Sequence, residues 1–276
     1  PFQWSRTGSL YFLDRGSLAS YERHLAALRS SGLEFELVEA AQGKKQFPEF
    51  AWHEQDVAVY EPAAGIGSPR GTTEAFLRAA ERAGATAHRE AEVVELLREG
   101  TRATGVRLKD GRVFHADNLV ICAGIWTNQV LACTGQSVPT FPVSIQLNRY
   151  RRRQGALTHP FFIDLPALTF GHPTQSGSFI GGWQGEEVDS GHGGVSHLNP
   201  AIANLARHRL AARIPWLKYA TLEGGFKALE SYTSSGVGLV ERLAGHDNVV
   251  VSTGWSCTGF TLAPVIGQRI AELVLG

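Results

Sequence analysis

The stretch that most constrains this chain is Asn248–Gly276. It opens on Val249–Val250–Val251, a short β-branched run of the kind that forms buried strands. Ser252–Thr253–Gly254 then makes a small-residue turn, followed by Trp255–Ser256–Cys257–Thr258–Gly259–Phe260 and Leu262–Ala263–Pro264–Val265–Ile266–Gly267. Ile266, Ile270, Leu273 and Val274 recur at helical spacing and close the chain on a helix. A strand, a glycine turn and a helix N-terminus leave backbone N–H groups pointing outward, which suits an anionic or polar ligand. Many α/β connections look like this, so by pattern alone an ordinary connection is the more frequent reading.

The rest of the chain supplies the context. Thr7–Phe12 reads as a strand, and Ser17 as the N-cap of a helix over Leu18–Ser30, with Leu25 and Leu28 on its buried face and Gly32 as its stop. Glu34–Val38 and Val57–Tyr60 read as strands around Phe47–Pro48–Glu49–Phe50. Gly65–Gly71 reads as a loop, because its glycine spacing and Pro69 do not suit a phosphate cradle. A helix over Thr72–Ala83 ends at Gly84. Strands follow at Thr86–Glu90 and Val93–Leu97, then a hairpin whose arms Ala103–Leu108 and Arg112–His115 flank Lys109–Asp110–Gly111, and a buried strand Asn118–Cys122 ending at Ala123–Gly124–Ile125–Trp126. After Pro139 the pattern becomes an antiparallel sheet: Phe141–Arg151, Phe161–Asp164, Ala167–Gly171 and Ser178–Trp183. Pro200–Ile214 is helical, and Gly224–Tyr232 and Val237–Glu241 return to strand. Glu186–His197 is read as a polar loop rather than a metal site, and Arg151–Arg153 as a solvated edge.

These parts, in this order, resemble the D-amino acid oxidase superfamily of FAD-dependent oxidoreductases, on the glycine oxidase and monomeric sarcosine oxidase branch. The fold expected is mixed α/β: a Rossmann-like FAD-binding domain interleaved with a substrate domain on a large antiparallel sheet. Substrate-domain parts would occupy 1–65 and 138–232, and FAD-domain parts 66–137 and 233–276. The family's strand–GxGxxG–helix has no match here, so the resemblance implies a second chain or segment that carries it. It also implies cofactor contacts at Val93, Ala123, Gly124, Trp126, Gly254, Trp255, Cys257, Thr258, Gly259, Phe260 and Thr261, and substrate contacts at Phe170, Trp183, Gln184, Lys227 and Tyr232. For Val93, a plain core valine stays open. So does core packing for Phe170, Trp183, Tyr232 and Trp255.

The chain departs from the family at several helper positions. Where the sarcosine oxidase branch carries its flavin-linking cysteine, alignment gives Ala228, so FAD is expected to bind non-covalently. The places of the carboxylate-gripping bases hold Cys257 or Thr261 in the turn and Glu230 in the strand. Ile180 stands near the place of the oxygen-activating lysine. The resemblance therefore implies hydride transfer from the C–N bond of an amine or amino acid to flavin, by an oxidase or dehydrogenase, with no catalytic side chain identified. The alternative is a non-catalytic scaffold subunit that kept the fold. Lys+Arg and Asp+Glu are equal at 26 each, which speaks against a nucleic-acid partner. No apolar run approaches the roughly 18 residues of a membrane span. Three cysteines without metal or disulfide spacing make the cytoplasm the expected location.

Overall fold

A computed structural model describes residues 4–152, 155, 158–174, 176–184 and 197–276, with the backbone of 187–188. The chain begins with β1 (Trp4–Ser5) and β2 (Ser9–Asp14). Asp14 accepts from the Gly16 N–H at 2.7 Å and sets a turn from which α1 (Leu18–Ser30) starts at its expected residue. Ser17 does not cap it. Its hydroxyl donates to Asp14 O at 2.8 Å, because the Asp14 turn already occupies that end. Leu25 is buried and Gly32, at φ +77°, stops the helix as expected.

β3 (Glu36–Glu39) runs straight into α2 (Ala40–Gln46), which is too short for a helical period to register in sequence. β4 (Asp56–Glu61) and β5 (Ile66–Gly67) follow, then α3 (Pro69–Arg82). The Gly65–Gly71 string is thus no loop: Ile66–Gly67 pairs with β1, and Gly71 N–H donates to Ser68 Oγ at 3.1 Å. Ser68 acts as an N-cap, and Pro69 sits at the first helical position, where its missing N–H has no helical partner to lose. Thr86–Glu90 forms no strand. It is mostly exposed, and Glu90 breaks the extended backbone at φ +53°.

β6 (Val93–Glu99), β7 (Arg102–Leu108) and β8 (Val113–His115) make an antiparallel sheet, turned at Lys109–Gly111 as expected. After β9 (Leu119–Ile121) and α4 (Thr127–Leu131) come β10 (Phe141–Arg151), β11 (Phe161–Asp164), β12 (Thr169–Pro173), β13 (Ser178–Trp183) and β14 (Glu187–Val188). Asn199 caps α5 (Pro200–Arg213) by accepting from Ala201 N–H at 2.9 Å. β15 (Thr221–Tyr232), β16 (Leu239–Arg242), β17 (Val249–Thr253) and α6 (Gly259–Leu275) complete the chain.

The largest sheet has nine strands in the order β14-β10-β13-β12-β11-β2-β4-β3, with β15 also on β10. Along that order every pair from β14 to β3 is antiparallel except β11 with β2, which is parallel. Arg151 is exposed, as a solvated edge requires, and pairs with Glu223; Arg152 is half-buried, and its Nη1 reaches Glu49 at 3.0 Å. Arg153 lies outside the described residues.

The chain forms two compact units: Pro1–Phe76, Ile145–Glu186 and Val195–Ala228 in one, Leu77–Ser144, Glu187–Gly194 and Leu229–Gly276 in the other. The first is centred on aromatic packing, with Phe12, Phe50, Trp52, Tyr150, Phe162 and Phe179 buried together. The second packs Leu96, Ile121, Leu131, Val249 and Val251 behind the sheet β16-β17-β9.

Candidate cofactor and substrate site

β17 is buried along its whole length and lies parallel to β9, with Val251 opposite Ile121. Both strands therefore end at the same edge of their sheet, the place where open α/β sheets bind ligands. Beyond β9 the chain turns through Cys122, Ala123 and Gly124, the last at φ +54°. Beyond β17 it turns through Gly254 at φ +74°, then Ser256 at +46° and Cys257 at +66°. Left-handed backbone at non-glycine residues costs of order 1–3 kcal/mol each and persists only where the surroundings enforce it. Here they do. Thr253 Oγ1 donates to Gly124 O at 3.0 Å, joining the two turns, and Thr127 Oγ1 donates to the same oxygen at 2.8 Å. Ser256 N–H donates to Ser231 O at 3.1 Å, tying the turn to β15, and the Trp255 indole donates to Ser252 Oγ at 3.2 Å. A side chain at Gly254 would press on Thr233 Cγ2 at 2.7 Å in addition to its backbone strain.

The turns open two grooves. One, about 550 Å³, is lined by Gly124, Trp126, Gly254, Trp255, Cys257, Gly259 and Phe260, among others. The other, about 700 Å³, is lined by Val93, Ala123 and Trp126 with Leu96, Val106 and Ile121. Cys122 and Trp126 line both. Most of the expected cofactor residues therefore wall these grooves. Thr258 and Thr261 wall neither: Thr258 turns its hydroxyl back to Trp255 O at 2.5 Å, and Thr261 lies exposed in the first turn of α6. No side chain caps α6, so its first N–H groups remain available beside the turn.

The expected substrate residues separate. Register pairs Phe170 with Gly182 and Thr169 with Trp183, so Phe170 and Trp183 occupy opposite faces of the sheet. Trp183 lies on the α5 side, with the Arg209 guanidinium 4.4 Å from its ring. Gln184 follows β13 and its N–H donates to Leu168 O at 2.9 Å. Lys227 lies in β15, one alternation out of step with Glu230 and Tyr232. Tyr232 Oη is 3.1 Å from Cys257 Sγ, so it belongs with the smaller groove.

Among the described residues, Glu230 is the charged one that lines that groove, and no Lys, Arg or His does. Burial pushes its carboxyl up, opposed by a hydrogen bond from the Cys257 N–H. Burial also raises the Cys257 thiol, against the pull of the Tyr232 hydroxyl, and raises the Cys122 thiol. Cys122, Glu230, Ser231 and Thr253 carry no local motif that marks them as lining or bracing a site. Glu230 does have one signal, its position two residues before Tyr232 on the same strand face. Among the described residues no cluster of His, Cys, Asp or Glu could hold a metal ion. Of the run Glu186–His197, residues 186 and 189–196 lie outside the described residues.

The family model for FAD dependent oxidoreductases matches residues 1–273. The chain is 28% identical over 263 residues to a monomeric sarcosine oxidase of Streptomyces avermitilis, covering 88% of this chain and 65% of that protein. It is 26% identical over 228 residues to a 4-methylaminobutanoate oxidase (formaldehyde-forming) of Paenarthrobacter nicotinovorans, covering 79% of this chain and 27% of that protein. The chain thus spans from about a quarter to just under two thirds of these curated relatives. Among solved structures, L-proline dehydrogenase from P. horikoshii superposes with a TM-score of 0.89 at 22% identity, over 99% of this chain and 73% of that one, and so shares the fold.

Proposed function

Because the chain belongs to the family of FAD-dependent oxidoreductases, we propose that its paired grooves hold FAD and that it serves an enzyme oxidising the C–N bond of an amine or amino acid to an imine. The observation that carries this reading is the strained turn after β17, locked to the turn after β9 by Thr253 and Gly124. The residues present fit the cofactor. Trp126, Trp255 and Phe260 offer flat apolar walls for a large planar ring. The uncapped start of α6 suits the ring's hydrogen-bond acceptors. Val93 and Ala123, in the larger groove, suit the adenosine end.

FAD, when bound, supplies the hydride acceptor. The chain's own residues position and shield. The turn residues hold one wall rigid, the aromatic side chains exclude water, and Tyr232 stands at the groove beside Cys257. Hydride transfer from a neutral amine requires no further proton-transferring side chain at the carbon. Non-covalent binding is supported by Cys257, whose raised thiol pKa keeps it protonated and unreactive. Phe170, Gln184 and Lys227 belong to the other unit and are carried by family resemblance alone. On this reading Leu77–Ser144 and Leu229–Gly276 form the FAD-binding part, and the large sheet the substrate part.

The reading includes a second chain or segment that supplies a strand–glycine turn–helix for the pyrophosphate. Two features support it: β9 is the edge of its sheet with Val120 43% exposed, and α6 presents Val265 at 60% exposure. No helix among the described residues is long and apolar enough to cross a membrane. Cys122, Cys133 and Cys257 are free thiols, which fits a reducing cytoplasm. The scaffold alternative is not favoured, since the relatives named above are oxidases and a strained turn has no structural reason to survive loss of its ligand.

The test is the visible spectrum of the purified protein, then acid precipitation and the mass of each polypeptide. Flavin absorbance released into the supernatant is expected. Flavin retained in the pellet would overturn non-covalent binding, and a colourless protein that takes up no added FAD would overturn the whole reading.

A further inference from the structure

The unit that holds most of the large sheet has a cavity of its own, and none of its lining residues lines the grooves given to FAD. It measures about 380 Å³ and lies between α1 and the sheet face made by β2 and β4. Leu13, Leu25 and Val59 wall it, all three buried. Roughly 150 Å³ suffices to hold a benzene ring, so this cavity admits a ligand of one or two rings. Its polar side is on the sheet, where Tyr11 and Glu61 line it. Ser9 shares their face, because side chains alternate along β2 and Ser9 stands directly opposite Glu61 in the antiparallel register. Ser9 Oγ is buried and has no hydrogen-bond partner. Among the described residues no hydrogen bond or ion pair engages the Tyr11 hydroxyl or the Glu61 carboxylate either. Burial raises the Tyr11 phenol and the Glu61 charge raises it further, so the two groups are neighbours without being bonded. The other ionisable lining residues, Tyr21 and His24, sit together on α1 with ring centroids 6.1 Å apart.

Ser9, Tyr11 and Glu61 can each accept a hydrogen bond, and an ionised carboxylate can only accept. A ligand carboxylate placed beside them would meet a like charge. A cation carrying several N–H groups would satisfy all three oxygens at once, with a charge-assisted bond to Glu61. Its apolar body would cover Leu13, Leu25 and Val59. We propose that the cavity under α1 is a second ligand site, for an apolar arylammonium or amidinium cation of one or two rings, with Glu61 as its charge partner and Ser9 and Tyr11 as its further acceptors. The inference goes beyond the flavoenzyme reading and does not rest on it.

The experiment uses the full chain, with any flavin it retains or takes up, and two planar probes of matched shape and opposite charge, benzamidinium and benzoate. Benzamidinium has no hydrogen on the carbon that bears its nitrogens, so a flavin cannot oxidise it there. Binding is read by titration calorimetry, and the visible spectrum reports separately on any ligand beside the flavin. Benzamidinium is expected to bind one site per chain, at least about tenfold more tightly than benzoate, and to leave the flavin spectrum unchanged. E61Q, which keeps the shape of the side chain, is expected to abolish that preference, and Y11F to weaken benzamidinium about fivefold, with both variants melting as wild type does. No benzamidinium binding overturns the inference. So does binding that E61Q leaves unchanged, or that shifts the flavin spectrum, since the probe would then sit elsewhere. A chain that takes up no flavin but binds benzamidinium through Glu61 overturns the flavoenzyme reading and supports this one.

Discussion

The indole of Trp255 lies directly against the α-carbon of Gly238, so that a methyl group there would overlap the ring. Gly238 precedes β16, and Trp255 lies in the turn after β17, the strand with which β16 pairs. The glycine is therefore what lets the indole lie back toward Ser252, to which its N–H donates at 3.2 Å, and form one wall of the groove. G238A is expected to cost about 1–3 kcal/mol by overpacking. It is also expected to shift Trp255 and weaken FAD binding more than a surface alanine does. Tryptophan fluorescence and FAD titration check both. Unchanged fluorescence with unchanged FAD affinity would show that Gly238 does not position the ring.

Asn248 does comparable work at the other end of β17. It is buried, accepts the Ala103 N–H at 3.1 Å, and donates to Ala103 O at 2.6 Å and Asp117 O at 2.8 Å. One side chain thus binds β7 to the approach of β9. N248A orphans these groups and is expected to cost about 2–4 kcal/mol. N248D is the sharper variant, because its second oxygen would face two carbonyls. Denaturant unfolding should rank N248D below N248A at neutral pH, with the gap narrowing on acidification as the aspartate gains a proton to donate.

How far the sequence foretold this molecule depends on whether the relevant pattern is local. α1 and β10 appear at the boundaries that periodicity predicts, and the Asp110–Gly111 turn forms as its chemistry requires. α2 was illegible because seven residues hold too little of a 3.6 period. Thr86–Glu90, read as a strand, finds no partner strand. At the site, the glycine turn after β17 was legible because left-handed backbone needs residues such as Gly254. Glu230 was legible only through the resemblance, which puts it at a carboxylate-gripping place, because its lining role depends on β15 meeting a turn more than twenty residues later. The separation of Phe170 from Trp183 likewise follows from strand register, which only the tertiary pairing reveals.

In the other unit, Arg213 holds a buried charge cluster. Its Nε donates to Asp164 at 2.7 Å, Nη1 to Asp56 at 2.5 Å, and its Cζ sits 4.0 Å from the Phe12 ring centroid. Burial alone would push the Asp56 carboxyl up, but the Arg213 guanidinium outweighs it and holds it below the ordinary 3.8. A depressed carboxylate contributes stability that is present above its unfolded value and lost as pH falls through the folded one. R213M removes the cation and leaves Asp56 and Asp164 buried, for an expected loss of about 3–5 kcal/mol at pH 7. Without the guanidinium, burial pushes the Asp56 carboxyl up instead, so the gap to wild type should shrink between pH 7 and pH 4. A gap constant with pH would mean that packing against Phe12, not charge, is what Arg213 supplies.

Glu230 has the opposite sign. Burial raises its carboxyl above the ordinary 4.5, and the Cys257 N–H only partly offsets this. A raised acid binds its proton more tightly in the folded state, so its ionised form destabilises the fold above the folded pKa and not below the unfolded one. Cys257, which faces it, stays a neutral thiol across pH 4–8, because burial raises it above 9.0. E230Q should therefore unfold at higher temperature than wild type at pH 8, by on the order of 1 kcal/mol, with the difference vanishing near pH 4. An E230Q variant less stable than wild type at pH 8 would mean instead that the carboxylate makes contacts in the fold that the amide cannot replace.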